Sequence, residues 1–416
     1  MEIERFINDK PFIFKKVDIH RKVHMILKRI FTIIKYRLWL FRGWILKNKK
    51  KFVMGTMACA LVIGIVGWIF FRTYHNYEVV NEIKRKSDTS ANYYFDEEGM
   101  LCYSKDGVSF TNNKGEVLWD QVFGMESPKM HECGEYFVIG DIGANSVYIF
   151  NRDGMEGKLS LEKPIQDIRI SKQGIVAVVL SDGSANQINL YNKDGKILAS
   201  IKATIASTGY PLTLALSEDG TRLVISYILF DGGKVNTRMV FYNFSNKDSS
   251  GEPAGEYVFE ELFPKIEFID ETDVMACGES AFYIYQFKDT VTEQHLQTFD
   301  SEVKSLFTTE KHIGIVTKNA EMVSQEDNAD RYRVQIYRYS GSKAGEFTFD
   351  FDYKSISASD EVILFYNEQE CEIYSYHGHK KFQNVFDKSI EGIFPSKNSG
   401  EYILLDTQNV QIITLR

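Results

Sequence analysis

A metal site is the first kind of functional site to consider, because close pairs of histidines are a common metal-binding pattern. His377 and His379, in the sequence HGH, form such a pair. They occupy a position where equivalent segments of the chain read NRDG and NKDG, and Lys380 and Lys381 follow, which disfavours a bound cation. We therefore expect an ordinary exposed turn at residues 377–379 and no metal.

Paired carboxylates are the second candidate, because glycosidases hold two carboxyl groups about 5–10 Å apart across a cleft. Glu97-Glu98 and Glu260-Glu261 are adjacent in sequence, so on strands their side chains point to opposite faces. The sequence has no GxSxG motif and no phosphate-binding glycine loop before a helix, and SKDGVSF (104–110) matches a sialidase Asp box only in part. We expect no catalytic residues, no cofactor and no enzymatic activity.

The charge of the chain is unevenly distributed. The 416 residues carry a net charge of −8, yet residues 1–51 contain 15 Lys and Arg against 4 Asp and Glu. Residues 52–71, FVMGTMACALVIGIVGWIFF, have no charge and are long enough as a helix to cross a hydrocarbon layer of about 30 Å. A cleaved signal peptide is disfavoured by the long basic region and by an apolar run beyond the usual ~7–15 residues. The sequence predicts a transmembrane helix over 52–71, with Phe52, Trp68 and Phe71 as anchor residues.

The orientation of this span follows from the lysines beside it. Lys47, Lys49, Lys50 and Lys51 adjoin its N-terminal end, and basic residues are retained on the cytoplasmic side of a membrane. These four lysines are the predicted topology determinants. We expect a single-pass protein of the cell membrane, with a cytoplasmic N-terminus and an extracellular C-terminal domain.

The basic segment 1–51 is predicted to contain an amphipathic helix. Apolar residues recur at steps of three and four from Val23 to Ile45, while Lys28, Lys35 and Arg42 recur every seven residues on the opposite side. Such a helix fits the interface of the inner leaflet. Two alternatives stay open, namely a charged flank without a further role and a docking helix for a cytoplasmic partner.

Short strands and turns dominate the chain after residue 91. Seven strand segments, spaced 37 to 52 residues apart, end in an aromatic residue before a polar turn: Phe110, Phe150, Tyr191, Tyr242, Tyr285, Tyr337 and Tyr374. An apolar run precedes each of them, and an eighth, less aromatic repeat ends near Ile413. This period is typical of four-stranded propeller blades. We predict a mainly β fold, an eight-bladed β-propeller over 92–416 with these aromatic residues in its blade cores; seven blades are the alternative.

The ends and insertions of the propeller are also predicted. NYYF (92–95) either completes the last blade or forms the inner strand of the first. Residues 72–91 are expected to be a stalk, with a brief helix over Asn76–Lys86. The polar insertions 245–255 and 319–330 are expected to be surface loops that carry binding.

The cysteines are expected to be free. Of the four outside the apolar run, Cys102 and Cys277 fall on blades across the ring from each other, and Cys371 lies on another blade. Only Cys133 could approach Cys102 within the roughly 4.4–6.8 Å between Cα atoms that a disulfide requires. We predict buried thiols.

Two segments resemble known propeller repeats. ALSEDGTRLVIS (215–226) is similar to the inner hairpin of WD40-like propellers, and SFTNNKGEVLWDQ (109–121) is similar to a quinoprotein-type repeat. Only Trp119 holds that repeat's tryptophan position, so a quinoprotein dehydrogenase is disfavoured. The whole layout resembles a family of unknown function, single-pass membrane-anchored propeller proteins of Gram-positive, clostridial-type bacteria. The resemblance implies fold and location, and no activity.

A binding function fits these features best. The leading hypothesis is a membrane-anchored extracytoplasmic scaffold of the cell envelope that recognises a protein or a cell-wall polymer. The alternative is a transmembrane sensor that couples outside ligand binding to a cytoplasmic partner, and an extracytoplasmic hydrolase is the third hypothesis. Residues after position 51 carry 34 basic against 53 acidic side chains, which disfavours nucleic acid as a partner.

Overall fold

The computed structural model describes Lys35 and residues 49–85, 91–96, 98–183, 185–245, 251–319 and 331–416. The chain divides into two units, Met1–Arg72 and Thr73–Arg416. In the first unit, helix α1 spans Lys49–Phe71 and so includes the predicted residues 52–71. No helix among the described residues has both the length and the apolarity needed to span a membrane. Most of the predicted amphipathic helix lies outside the described residues.

The second unit is an eight-bladed β-propeller, which confirms the predicted fold and the larger of the two blade counts. The described residues form eight antiparallel sheets of four strands. Seven blades use consecutive strands, and the eighth combines strands from both ends of the unit.

The strands of blades 1 to 4 are as follows: blade 1, β2 (Asn92–Phe95), β3 (Gly99–Tyr103), β4 (Gly107–Asn112), β5 (Val117–Val122); blade 2, β6 (Pro128–Cys133), β7 (Tyr136–Asp141), β8 (Ser146–Asn151), β9 (Gly154–Ser160); blade 3, β10 (Ile165–Ile170), β11 (Val176–Asp182), β12 (Ala185–Tyr191), β13 (Ile197–Thr204); blade 4, β14 (Tyr210–Leu216), β15 (Arg222–Asp231), β16 (Lys234–Asn243), β17 (Pro253–Phe259).

The strands of blades 5 to 8 are as follows: blade 5, β18 (Lys265–Phe268), β19 (Asp273–Cys277), β20 (Ala281–Phe287), β21 (Val291–Thr298); blade 6, β22 (Val303–Thr308), β23 (His312–Lys318), β24 (Tyr332–Arg338), β25 (Lys343–Phe349); blade 7, β26 (Ser355–Ala358), β27 (Val362–Tyr366), β28 (Glu370–Ser375), β29 (Lys380–Val385); blade 8, β30 (Ile390–Pro395), β31 (Glu401–Asp406), β32 (Asn409–Leu415) and β1 (Tyr77–Lys84).

The hydrophobic core lies between neighbouring blades. The second strands are buried on both faces, which explains why they read as continuous apolar runs. The seven repeated aromatic residues all lie on third strands and are at most 7% exposed. A β-bulge occurs at or directly beside each of them, in the pairing of the third strand with the fourth. The bulge ends regular pairing just before the turn, so the sequence marker coincides with a backbone feature repeated around the ring.

The ring is closed by β1, which pairs with β32 as the outermost strand of blade 8. Seven residue pairs join the two strands, from Tyr77↔Leu415 to Lys84↔Asn409. NYYF forms β2, the first strand of blade 1. Of the two placements predicted for NYYF, the structure therefore shows the one in which it begins the first blade. The last blade is completed instead by residues that precede NYYF in the chain.

The prediction of a stalk over residues 72–91 is wrong for its helical part, because residues 77–84 form a strand that belongs to the propeller. The segment pairs with a partner more than 300 residues away, and this long-range pairing overrides its local helical pattern. Arg85 then fixes the crossing to blade 1. Its guanidinium contacts Glu391 at 2.7 Å and the carbonyl oxygen of Asp406 at 2.6 Å, and it donates to the Tyr93 hydroxyl at 3.1 Å.

The four cysteines described by the structure are free, as predicted. Cys277 and Cys371 are buried, whereas Cys102 and Cys133 are only half-buried. Burial raises the pKa of the Cys133 thiol to about 11 and that of Cys277 to about 12. At neutral pH these two thiols are therefore protonated and poorly nucleophilic.

Candidate binding site

The turns of the propeller lie on two faces. Because adjacent strands are antiparallel, the turns between first and second strands and between third and fourth strands of all blades lie on the same side. The chain also enters the propeller on this side, where Tyr77 pairs with Leu415. We call it the entry face.

Many carboxylates of the entry face are paired with cations. Asp96 and Glu98 both contact Arg152, at 2.8 and 3.0 Å, and Glu218 contacts Lys172 at 2.6 Å. Their charge is compensated within the fold. A partner has little to gain from such groups, because a cation already lies within 3.0 Å of each.

A cavity of about 450 Å³ opens on the entry face between blades 6, 7 and 8. It is formed by the three turns that follow the first strands of these blades, at residues 309–311, 359–361 and 396–400. Four carboxylate side chains and one ammonium line it, together with serine hydroxyls: Glu310, Asp360, Glu361, Glu401, Lys397, Ser359, Ser396 and Ser399. The lining is net negative.

Asp360 holds two of these turns together. It accepts hydrogen bonds from the Thr309 hydroxyl at 2.6 Å and from the Lys311 backbone N–H at 3.2 Å, and the Lys311 ammonium lies 3.3 Å away. Burial by itself would raise the pKa of Asp360, but these hydrogen bonds and the Lys311 charge outweigh it and keep the pKa below its usual value. Asp360 is thus a structural group whose charge is already compensated.

Glu310, Glu361 and Glu401 are the carboxylates left for a ligand. Glu310 and Glu361 are exposed, and neither has an ion-pair partner among the described residues. Glu401 is half-buried and accepts one hydrogen bond, from the Asn398 amide at 2.9 Å. The three groups come from three different blades, so the cavity presents negative charge from several sides.

Tyr402 contributes a hydroxyl group to the wall of this cavity. It is 6% exposed, lies in the core between blades 7 and 8, and also lines the cavity. Among the described residues its hydroxyl has no hydrogen-bond partner, and it is not one of the buried polar atoms that lack one, so it is open to the cavity. Burial, followed by the nearby Cys371 and the Glu361 carboxylate, raises the pKa of Tyr402 to about 12, so the hydroxyl stays protonated. It can donate to or accept from a group seated in the cavity.

The central channel is a weaker candidate. First strands of adjacent blades contact each other and so surround it. Its charges compensate each other: Lys129 and Arg169 both contact Asp167, at 2.7 Å. Burial, with the charge of Arg169, lowers the pKa of His131 to about 3, so this histidine is neutral at physiological pH.

The residues singled out from the sequence lie apart from this cavity. Lys47 and the side chains of Phe52 and Trp68 are outside the described residues, whereas Lys49, Lys50, Lys51 and Phe71 are exposed on α1. Their roles in anchoring and topology stay predictions. Residues 377–379 form the turn between β28 and β29, with Gly378 at a φ of +78° that favours glycine. Within the part of the chain that the structure describes, no group of His, Cys, Asp or Glu is arranged to hold a metal.

The two predicted binding loops lie on opposite faces of the ring. The insertion at 245–255 connects the third and fourth strands of blade 4, and residues 253–255 already belong to β17. The insertion at 319–330 connects the second and third strands of blade 6. Residues 246–250 and 320–330 are outside the described residues. The role of the two insertions in binding stays a prediction.

The fold and the cavity define a WD40-like, BamB-like β-propeller with an acidic pocket on one face. The chain belongs to the family of unknown function DUF5711, whose model matches residues 71–415. No curated protein matches the sequence.

Solved structures show the same fold at low sequence identity. BamB from Moraxella catarrhalis is 13% identical, with 82% of this chain and 100% of that chain covered and a TM-score of 0.50. Sqt1 of Chaetomium thermophilum, bound to the N-terminus of the ribosomal protein L10, is 8% identical, with coverage of 81% and 99% and a TM-score of 0.52. A eukaryotic initiation factor is 12% identical, with coverage of 80% and 84% and a TM-score of 0.51. These similarities concern the fold.

Proposed function

We propose that this protein is a membrane-anchored, non-enzymatic binding module that captures a partner protein through an exposed basic segment. The observation that carries the proposal is the cavity at residues 309–311, 359–361 and 396–400, where Glu310, Glu361 and the unpaired Tyr402 hydroxyl meet. A guanidinium or ammonium group from a partner would compensate these carboxylates. Hydrogen bonds between ionised groups are about twice as strong as neutral ones.

The fold supports a protein partner. A propeller holds its turns on a rigid ring, so a pocket made from three turns keeps its shape before the ligand arrives. The structure of Sqt1 bound to the N-terminus of L10 shows that a propeller of this fold can take a protein segment. In this chain the charge of the cavity selects a basic segment.

Binding of a synthetic peptide with four Arg-Gly repeats to the purified full chain tests the pocket. We expect the double variant Glu361→Lys, Glu401→Lys to lose at least about tenfold in affinity, because it removes two attractive charges and adds two repulsive ones. The matched control is Glu135→Lys, Glu271→Lys, which changes the total charge equally and alters exposed carboxylates in equivalent turns of blades 2 and 5 on the same face. Fluorescence anisotropy at 50 and 300 mM NaCl measures the affinity of both double variants for the peptide.

A second variant addresses the tyrosine. Tyr402→Phe removes a hydroxyl without a partner, so it should weaken peptide binding while the unfolding midpoint stays unchanged. Equal losses of affinity in the two charge-reversed proteins would show that the peptide responds only to the general negative charge of the face, which would contradict the proposed pocket. Binding of a Glu-Gly peptide as tightly as the Arg-Gly peptide would contradict the proposal.

The location of the module rests on residues 1–71. We propose that residues 52–71 cross the cell membrane with the N-terminus inside, because this stretch carries no charge and follows Lys47, Lys49, Lys50 and Lys51. The propeller is then outside the cell. The partner, a protein of the cell envelope, meets it there.

Thiol labelling of intact cells tests this topology. Glu260→Cys places a thiol at a side chain that is 86% exposed, and it should react with a membrane-impermeant maleimide before lysis. Lys10→Cys should react only after lysis, and the parent protein reports the background from the native cysteines. Replacing the four lysines at 47 and 49–51 by Glu should reverse or scramble this pattern. Protection of the Glu260→Cys site until lysis would place the propeller inside the cell.

A further inference from the structure

A second cavity, of about 480 Å³, lies between blades 2 and 3. Its walls are Leu159 and Ser160 at the end of β9, Leu180 of β11, and Asn189 with Tyr191 on β12. It is well separated in the ring from the acidic pocket of blades 6 to 8. We call it the lateral cleft.

Asn189 is an unusual residue for this position. It is 2% exposed, faces blade 2, and stands two residues before the repeated aromatic Tyr191, where blades 2 and 5 have Tyr148 and Tyr283. Its amide nitrogen donates to the Tyr191 hydroxyl at 2.8 Å, and its amide oxygen has no partner. Exchanging the two ends of the amide would leave the nitrogen unpaired instead. Either way one buried polar atom beside the cleft has no hydrogen-bond partner. Such an atom lowers the stability of the fold unless a ligand provides the partner.

The charges around the lateral cleft balance. Lys158 and Lys163 line it together with Glu162 and Asp194. Lys163 is already engaged by Asp182 at 2.8 Å and by Gln187 at 3.1 Å. The cleft therefore offers amide and hydroxyl groups without a net charge, and it selects a neutral ligand that both donates and accepts hydrogen bonds.

We propose that the lateral cleft binds a neutral oligosaccharide. A sugar hydroxyl can accept from the Tyr191 hydroxyl, which is free to donate because it only accepts from Asn189. It can also donate to the buried Asn189 amide oxygen once the ligand displaces the atoms that cover it. Leu159, Leu180 and Ile197 supply apolar contacts for the faces of a sugar ring. The proposal concerns a separate surface from the basic-peptide site, and each can hold without the other.

Calorimetric titration of the purified full chain with chitotriose and with maltotriose tests the proposal. We expect at least one of these trisaccharides to bind, and Asn189→Ala to weaken it at least about tenfold, the loss typical when a buried polar group is left without its partner. Asn186→Ala is the matched control. Asn186 lies on the same strand and is also 2% exposed with an unpaired amide nitrogen, but its side chain points to the opposite face of the blade.

A rim variant separates binding from folding. Ser160→Trp fills the exposed mouth of the cleft without altering a buried group, so it should abolish trisaccharide binding at an unchanged unfolding midpoint. Arg-Gly peptide binding should persist in all three variants. Absence of binding by both trisaccharides, equal binding by the Asn189→Ala and Asn186→Ala proteins, or tighter binding of an uncharged Ser-Asn peptide would overturn the proposal.

Discussion

Deletion of residues 73–84 should leave a protein that aggregates and no longer unfolds in a single cooperative transition. These residues contain β1, which makes seven residue pairs with β32 and places Tyr77 against Phe386, with ring centroids 5.5 Å apart. Without β1, blade 8 has three strands, and its open edge exposes unpaired N–H and C=O groups to other chains. The free energy of unfolding of a domain is only about 5–15 kcal/mol, and we expect the loss of a whole strand to cost more than this.

Size-exclusion chromatography and thermal unfolding monitored by circular dichroism measure this effect. A protein lacking residues 1–46 is the control, since it loses more than three times as many residues and keeps every described strand. Ending the chain after Asp387 removes the other three strands of blade 8 and should be equally damaging. A synthetic peptide of residues 73–85 should restore a monomeric, cooperatively unfolding protein. A monomeric deletion protein with an unchanged melting curve would show that β1 does not close the ring.

Replacement of Phe349 by alanine should lower the free energy of unfolding by about 3–5 kcal/mol, the usual loss for a large aromatic side chain in a core. Phe349 is 2% exposed at the end of β25 and joins blades 6 and 7. Its ring centroid lies 4.3 Å from that of Phe365, 5.4 Å from Tyr332 and 5.7 Å from Tyr374. No neighbouring side chain can fill the space without leaving its own contacts.

Urea denaturation of the full chain measures the loss, provided that the slope with denaturant is unchanged. Phe230→Ala is the control, because Phe230 is 73% exposed at the end of β15 and should alter stability by less than about 0.5 kcal/mol. A loss below about 1 kcal/mol for Phe349→Ala would mean that the interface between blades 6 and 7 is looser than its ring distances indicate.

The blades could be predicted from the sequence because each repeats a local pattern. A buried second strand reads as a continuous apolar run, and the third strand ends at an aromatic residue beside a bulge, as at Tyr285 and Tyr337. These signals lie within about forty residues of each other. They therefore give the period and the position of the core without knowledge of long-range contacts, and they limit the number of blades to seven or eight.

The closure could not be predicted in this way, because β1 makes contacts that leave no local trace. Its sequence, YEVVNEIK, is mostly exposed and contains good helix formers as well as strand formers. Only the partner at 409–415 decides between the two. Closure through NYYF was a reasonable alternative because that segment has a stronger strand pattern, but it is used to begin blade 1.

The acidic pocket was missed for a related reason. Its carboxylates are spread over three turns, and polar turns with one or two acidic residues occur in nearly every blade. What distinguishes Glu310 and Glu361 is that neither forms an ion pair among the described residues, whereas Asp96 and Glu218 each form one. That difference depends on contacts across blades, so neither composition nor spacing shows it.

The closing strand also determines the order in which the molecule can be completed. During synthesis β1 is made before the other described strands and β32 after them, so β1 waits without its partner while the other blades form. At about 5–20 residues per second this interval is on the order of tens of seconds. An apolar strand would associate with neighbouring chains during that time, whereas β1 carries Glu78, Glu82 and Lys84 along its length. These charges thus keep β1 unattached until the seven residues of β32 arrive to pair with it.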